Sequence, residues 1–216
     1  MTTRIGLVSD VHSSPLPLRQ ALDIFEREQV DEIICAGDIA GYYDTVAPTV
    51  ELLAQANCLA VCGNHDQSYL ELPPRDDDEA VRAYLQALPP TLELEIEGKR
   101  MLVVHANPPA EQYGGIRLLD QQGAVRDERR QEWTEKLDEV DCDILIVGHT
   151  HQVYALHLGD VFVINPGSSA FNHSCMILSL PDLGVREFAL GGQEIVKCWN
   201  FSMLYSQDGG ETGSLA

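Results

Sequence analysis

The sequence is poor in basic residues, with 14 Lys and Arg against 34 Asp and Glu, for a formal net charge of −20. A duplex backbone is bound by a Lys- and Arg-rich face, so no nucleic-acid partner is expected. No apolar run approaches the roughly 20 residues that span a bilayer, so no membrane partner is expected either. Met1-Thr2-Thr3-Arg4 runs straight into Ile5-Gly6-Leu7-Val8, without the basic stretch, long apolar run and cleavage site of a signal peptide. A cytoplasmic protein is expected. The six cysteines include no C-x-x-C pair. Cys35, Cys58, Cys62, Cys142 and Cys175 lie in or beside apolar segments, which suits buried free thiols; a zinc cluster needs tighter spacing.

What is present is a chain of 216 residues, 44% of them hydrophobic. That length suits one globular domain with a sizeable core, taken as residues 1–205. Residues 206–216 are Gly-rich and polar and read as a disordered tail. The first half alternates strands (4–9, 31–36, 58–62) with helices (15–29, 45–56, 76–88). Leu18, Leu22 and Phe25 carry the helical spacing in the first helix. Strand–helix units in series imply a parallel sheet with right-handed crossovers. The acidic run Asp76-Asp77-Asp78-Glu79 reads as the negative first turn of a helix. The second half reads as hairpins (91–96 with 99–104, 153–157 with 161–165, 174–180 with 185–190), a long loop at 106–125, a helix at 126–137 and a strand at 143–147. The pattern fits an α/β fold of two mixed sheets with helices on the outer faces.

Polar residues fall where apolar strands stop. Asp10 and His12 follow the first strand, Gly37-Asp38 the second, and Gly63-Asn64-His65-Asp66 the third. His105 and Gly148-His149-Thr150-His151 follow later ones. Ligands of open α/β sheets collect beyond the carboxyl ends of strands, so five strand ends can converge. Asp10 and His12, like His149 and His151, are two apart, and in an extended segment such residues project to the same side. Imidazole, carboxylate and amide donors suit Mn²⁺, Fe²⁺, Co²⁺, Ni²⁺ or Zn²⁺, and seven donors are too many for one ion and about right for two. His157 falls outside the set and reads as a structural residue of a hairpin strand.

The ordered set Asp10-x-His12, Gly37-Asp38, Gly63-Asn64-His65-Asp66, His105 and Gly148-His149-Thr150-His151 resembles the calcineurin-like metallophosphoesterase superfamily. With Asn165-Pro166-Gly167-Ser168 and the short chain, it is most similar to the small bacterial and archaeal phosphodiesterase branch, which shares the Vps29-like fold. The resemblance implies a four-layer αββα sandwich, two mixed β-sheets between helices, and a pair of divalent metals, Mn²⁺ foremost. Asp10, His12, Asp38 and His151 would hold one ion. Asp38, Asn64, His105 and His149 would hold the other, with Asp38 shared. It further implies hydrolysis of a small phosphate ester, most readily a diester, by a metal-bridging hydroxide. His65, with Asn64, would contact phosphate, and His65 would protonate the leaving group. Asp66 is expected either to orient a ligand or to cap a helix. A non-catalytic Vps29-like scaffold and a phosphomonoesterase or protein phosphatase are the alternatives.

The chain departs from the family in three places. Gly37-Asp38-Ile39-Ala40-Gly41-Tyr42-Tyr43 lacks the Asp-Arg-Gly of the Ser/Thr protein phosphatases, and position 66 is Asp where they carry Glu. Both argue against protein dephosphorylation. After Ser168, where small relatives often carry a basic residue, this chain has Ser169-Ala170-Phe171-Asn172-His173. His173 is the candidate substitute. Tyr42, Tyr43, Tyr113 and Arg117 are candidates to line a pocket, ordinary surface being the alternative.

Overall fold

The computed structural model describes residues 2–75 and 78–199. The expected tail at 206–216 and the acidic residues Asp76 and Asp77 lie outside the described residues. The chain opens with β1 (Thr3–Val8), α1 (Pro15–Arg27), β2 (Glu32–Cys35), α2 (Val46–Gln55) and β3 (Leu59–Ala60), and these three strands run parallel. Next come α3 (Asn64–Glu71), α4 (Glu79–Gln86), the hairpin β4 (Thr91–Ile96) and β5 (Lys99–Val104), α5 (Asp127–Leu137) and β6 (Ile144–Ile146). The hairpins β7 (Val153–Leu158) with β8 (Val161–Pro166) and β9 (Ser174–Leu180) with β10 (Gly184–Ala189) follow. One sheet has the order β10-β9-β1-β2-β3, the other β4-β5-β6-β8-β7, and both are mixed. The two mixed sheets and the outer helices are as the sequence implied.

Three apolar clusters separate four layers. Ile5, Leu7 and Ile34 of the first sheet meet Met101, Val103, Ile144 and Ile164 of the second. Their neighbours Val8 and Cys35 face outward onto α1, α2 and α4, with Leu18, Phe25 and Leu53. Leu145, flanked by Ile144 and Ile146, turns the other way, toward Trp133 and Leu137 of α5. Successive side chains of a strand alternate faces, so strands apolar on every residue can seal both faces at once. Phe25 is fully buried at the helix–sheet joint. Phe25→Ala should cost about 3–5 kcal/mol, visible as a lower urea midpoint at unchanged slope.

The differences from the sequence reading have local causes. The first helix stops at Arg27 because Gln29 takes a left-handed backbone (φ 53°). The third strand shrinks from 58–62 to Leu59–Ala60, and the helix expected at 76–88 begins at Glu79, with Asp78 as its N-cap. Apart from the cap reading of Asp66, nothing in the sequence pointed to helix α3: NHDQSYLE has too few apolar residues to show a helical period. Among the described residues no helix is long and apolar enough to cross a membrane.

Candidate metal centre

The strand ends do converge, but not through extended backbone. Asp10 (φ 50°), His12 (48°), Asp38 (53°), His149 (63°) and His151 (49°) all sit in the left-handed region. That region is uncommon for residues other than glycine and is held only where the surroundings enforce it. Here they do. The amides of Asp10, His12 and Ser13 donate to the carbonyls of Gly37, Asp38 and Ile39 at 3.0, 2.9 and 2.8 Å, zipping the first two turns together. The same-side argument for residues two apart is corrected accordingly. Asp10 and His12 stay together, whereas His149 and His151 part company, one to each of two clusters.

One cluster is Asp10, His12 and His151; another is Asp38, His105 and His149. A third grouping, His12 with Asp38 and His65, ties the two together. Asn64 belongs with the second, its Oδ1 lying 3.0 Å from His105 Nε2 and 2.9 Å from His149 Nδ1. His12 Nε2 and His151 Nε2 approach to 3.0 Å, and His151 Nε2 lies 3.3 Å from Asp10 Oδ1. Asp10, His12, Asp38, Asn64, His105 and His151 are buried and His149 partly so.

Backbone amides and glycines set the carboxylates. Asp38 Oδ1 accepts the His65 N–H at 2.8 Å, at the N-terminus of α3, where amides and the helix dipole favour negative charge. Asp10 accepts the His149 N–H at 3.0 Å and the Ser9 hydroxyl at 2.6 Å. These approaches need glycines: a Cβ on Gly63 would lie 2.1 Å from Asp38 Oδ1, and one on Gly148 1.9 Å from Ser9 Oγ. Of its two expected parts Asp66 takes the helix cap, accepting the Gly63 N–H at 2.8 Å at the head of α3, and it also accepts the Ala40 N–H at 2.7 Å, two residues after Asp38.

The electrostatics suit a cation. Burial opposes ionisation of Asp10, but His151, His105 and His12 outweigh it and hold the carboxyl below its usual range; His105 does the same for Asp38. Burial lowers His12 and His149 to about 4, so both rings are neutral and carry a free lone pair at pH 7. In the neutral ring of His105, Nδ1 donates to the Ala36 carbonyl at 2.8 Å, which leaves the Nε2 lone pair facing Asn64 Oδ1 and, at 3.3 Å, Asp38 Oδ2. Three acceptors therefore face one another with no donor among them. Burial resists a proton there, yet Asp38 and Asp10 raise His105 to about 9, so at pH 7 and without a metal a proton on Nε2 takes the place between these acceptors. A positive charge is called for at that spot, and the donors fit a divalent ion.

Residues 3–180 match the calcineurin-like phosphoesterase superfamily domain. The chain belongs to that superfamily. The family comprises metal-dependent phosphoesterases, hydrolases that use divalent metals. A probable metallophosphoesterase of Methanothermobacter thermautotrophicus is 30% identical over 168 residues, 76% of each chain. A phosphodiesterase of Methanocaldococcus jannaschii is 26% identical over 187 residues, 85% of this chain and 92% of its own. The solved structure of a hypothetical protein from Pyrococcus horikoshii OT3 shares the fold, with a TM-score of 0.69 at 17% identity over 95% of this chain and 92% of that one.

In this calcineurin-like domain the clusters open into a cleft of about 270 Å³. His65 and Tyr42 line it, as expected, and so does Arg117. Tyr113 stands at its edge, its ring 6.4 Å from that of His149. His173 does not line the cleft; its carbonyl accepts the Leu190 N–H at 2.9 Å, at the end of β10. Tyr43 instead borders a separate groove with Leu16 and Thr45. His157 packs on Phe162 at 4.9 Å in the β7–β8 hairpin, as a structural residue should.

Several contributors went unread in the sequence. Asn165 Nδ2 donates to the Gly148 carbonyl and to Thr150 Oγ1, Ser168 Oγ donates to the Asp10 carbonyl at 2.6 Å, and Asn172 Nδ2 donates to the His151 carbonyl. The segment from Asn165 to Asn172 thus clamps the backbone of both left-handed turns. Phe171 and Trp199 stack at 4.3 Å beside His151. The Asn-Pro-Gly-Ser signal marked the neighbourhood but not this clamping role, and nothing marked Trp199.

Proposed function

We propose that this domain hydrolyses a small phosphate ester, most readily a diester, with two divalent cations, Mn²⁺ foremost and Fe, Zn, Ni or Co as substitutes. Asp10, His12, Asp38 and His151 hold one cation. Asp38, Asn64, His105 and His149 hold the other. The convergence of His105 Nε2, Asn64 Oδ1 and Asp38 Oδ2, with the positive charge that this spot calls for, is the observation that carries this reading. Bound there, the cations would lower the pKa of a water and offset charge on phosphate oxygens. The phosphodiesterase relative adds support for a diester. The protein works in the cytoplasm in this reading, with a small ester as its partner and no nucleic acid.

The chain's own groups supply the rest. Asp38 and Asn64 sit at the floor of the cleft, with their orientations set by the His65 amide and by the rings of His105 and His149. His65 is part-buried at the second position of α3, with its ring 4.9 Å from His12 and 4.7 Å from Tyr42. Its backbone is pinned to Asp38, so the ring is presented to the cleft at a set height. From there it contacts the phosphate and hands a proton to the departing oxygen.

His65→Asn should lower turnover of an aryl phosphodiester by about 10²- to 10⁴-fold while bound metal, read by elemental analysis, stays at the wild-type level. A protein that takes up about two Mn²⁺ per chain but turns over no ester at all would instead be a scaffold.

A further inference from the structure

We infer that Arg117, from the long loop between β5 and α5, is the residue that grips the substrate's phosphate. The inference rests on the esterase reading and names the missing cation of that site. The segment after Ser168 carries no Lys or Arg as far as Leu180. Among the described residues that line the cleft, Arg117 is the single Lys or Arg.

Its position is built. Ile116 and Leu118, on either side, are fully buried. The Ile116 carbonyl accepts the Tyr154 hydroxyl at 2.9 Å and the Thr150 hydroxyl at 3.4 Å. The amides of Leu118 and Leu119 both donate to Gln152 Oε1, at 2.8 and 3.0 Å. Arg117's own carbonyl accepts Arg129 Nε at 3.2 Å. Thr150 and Gln152 flank His151, so this stretch of loop is fastened to the turn that carries His149 and His151. With both neighbours turned inward, the exposed Arg117 side chain is directed at the cleft.

The guanidinium is also available. Arg75, Arg82, Arg100, Arg126, Arg129 and Arg186 each hold a carboxylate. Among the described residues, the Arg117 side chain has no ion-pair or hydrogen-bond partner. In a chain of net charge −20 an anionic substrate approaches against the global field, and a local cation is what admits it. A planar guanidinium fits two oxygens of a phosphate group at once, on a backbone fixed beforehand.

The test titrates inorganic phosphate calorimetrically into the Mn²⁺-loaded full-length protein, with R117A, R117K and, as a control of equal charge change on exposed α5, R130A. R117A should weaken phosphate by about tenfold or more, R117K by less, and R130A by less than about twofold, with bound Mn²⁺ and melting temperature unchanged in all three. On an aryl diester, the R117A defect should fall mainly in KM. Wild-type affinity in R117A, an equal loss in R130A, loss of Mn²⁺ in R117A, or no phosphate binding by the wild type would each overturn the inference. If no ester is turned over but R117A still loses phosphate, the esterase reading falls and the grip stands.

Discussion

Replacing Asp38 with Asn is expected to strip bound metal from both clusters and to lower turnover by about 10³-fold or more. Asp38 is common to two of the three donor groupings, with His105 and His149 on one side and His12 and His65 on the other. Asn keeps the volume but removes the charge. It also places an amide N–H₂ where one oxygen now accepts the His65 N–H at 2.8 Å or where the other faces His105 Nε2 at 3.3 Å. In the first orientation two donors collide at the head of α3. In the second the ring of His105 gains a donor and no longer offers its lone pair to a cation. Elemental analysis after desalting, alongside turnover of an aryl diester in excess Mn²⁺, separates the two effects. Retention of two ions per chain with undiminished turnover would sink the shared role of Asp38.

Gly63→Ala should be the most damaging change of a single methyl group in the chain. Its Cβ would lie 2.1 Å from Asp38 Oδ1 and 2.3 Å from the Asp38 amide nitrogen. The carboxylate can rotate, but the amide is backbone, and it belongs to a loop held by the His12-to-Asp38 and Ser13-to-Ile39 hydrogen bonds. Either Asp38 moves off both clusters or the turn opens. A destabilisation of about 3 kcal/mol or more is expected, which lowers the melting temperature by about 6–12 °C at this chain length, with metal uptake lost. Gly148→Ala meets a different obstacle, the Ser9 hydroxyl at 1.9 Å. Because that obstacle is a side chain, Ser9→Ala in the same protein should restore part of the Gly148→Ala loss, whereas no second substitution of a side chain restores Gly63→Ala. Equal rescue in both pairs, read by thermal melts, would contradict this distinction between backbone and side-chain obstruction.

The site was legible in sequence because strand ends are legible. An apolar run that stops at Gly-Asp or Gly-His marks a carboxyl end, and parallel strands put those ends on one edge. Asp10, Asp38, Asn64, His105, His149 and His151 were brought together on that logic, and the structure places them side by side. What the pattern did not carry was the backbone. Alternation suggested extended pairs, whereas the chain takes left-handed turns enforced by hydrogen bonds from residues far away in sequence, such as Ser168 to Asp10 and Asn172 to His151. Helix α3 was missed for the complementary reason: its first turn consists of site residues, whose polarity erases the helical period. His173 was chosen for its nearness in sequence to Ser168, but its backbone is drawn to β10, away from the cleft.

The candidate metal donors come from both layers of the sandwich. Asp10, His12, Asp38 and Asn64 follow strands of one sheet, and His105, His149 and His151 follow strands of the other. Each cluster draws on both, so neither sheet alone can assemble a coordination sphere. The donor set comes into being only when the two halves have docked across the Ile5, Leu7, Ile144 and Ile164 interface. Tight cation uptake is then a report that the tertiary structure is complete, and a half-folded chain, or a fragment of it, stays blind to the ion.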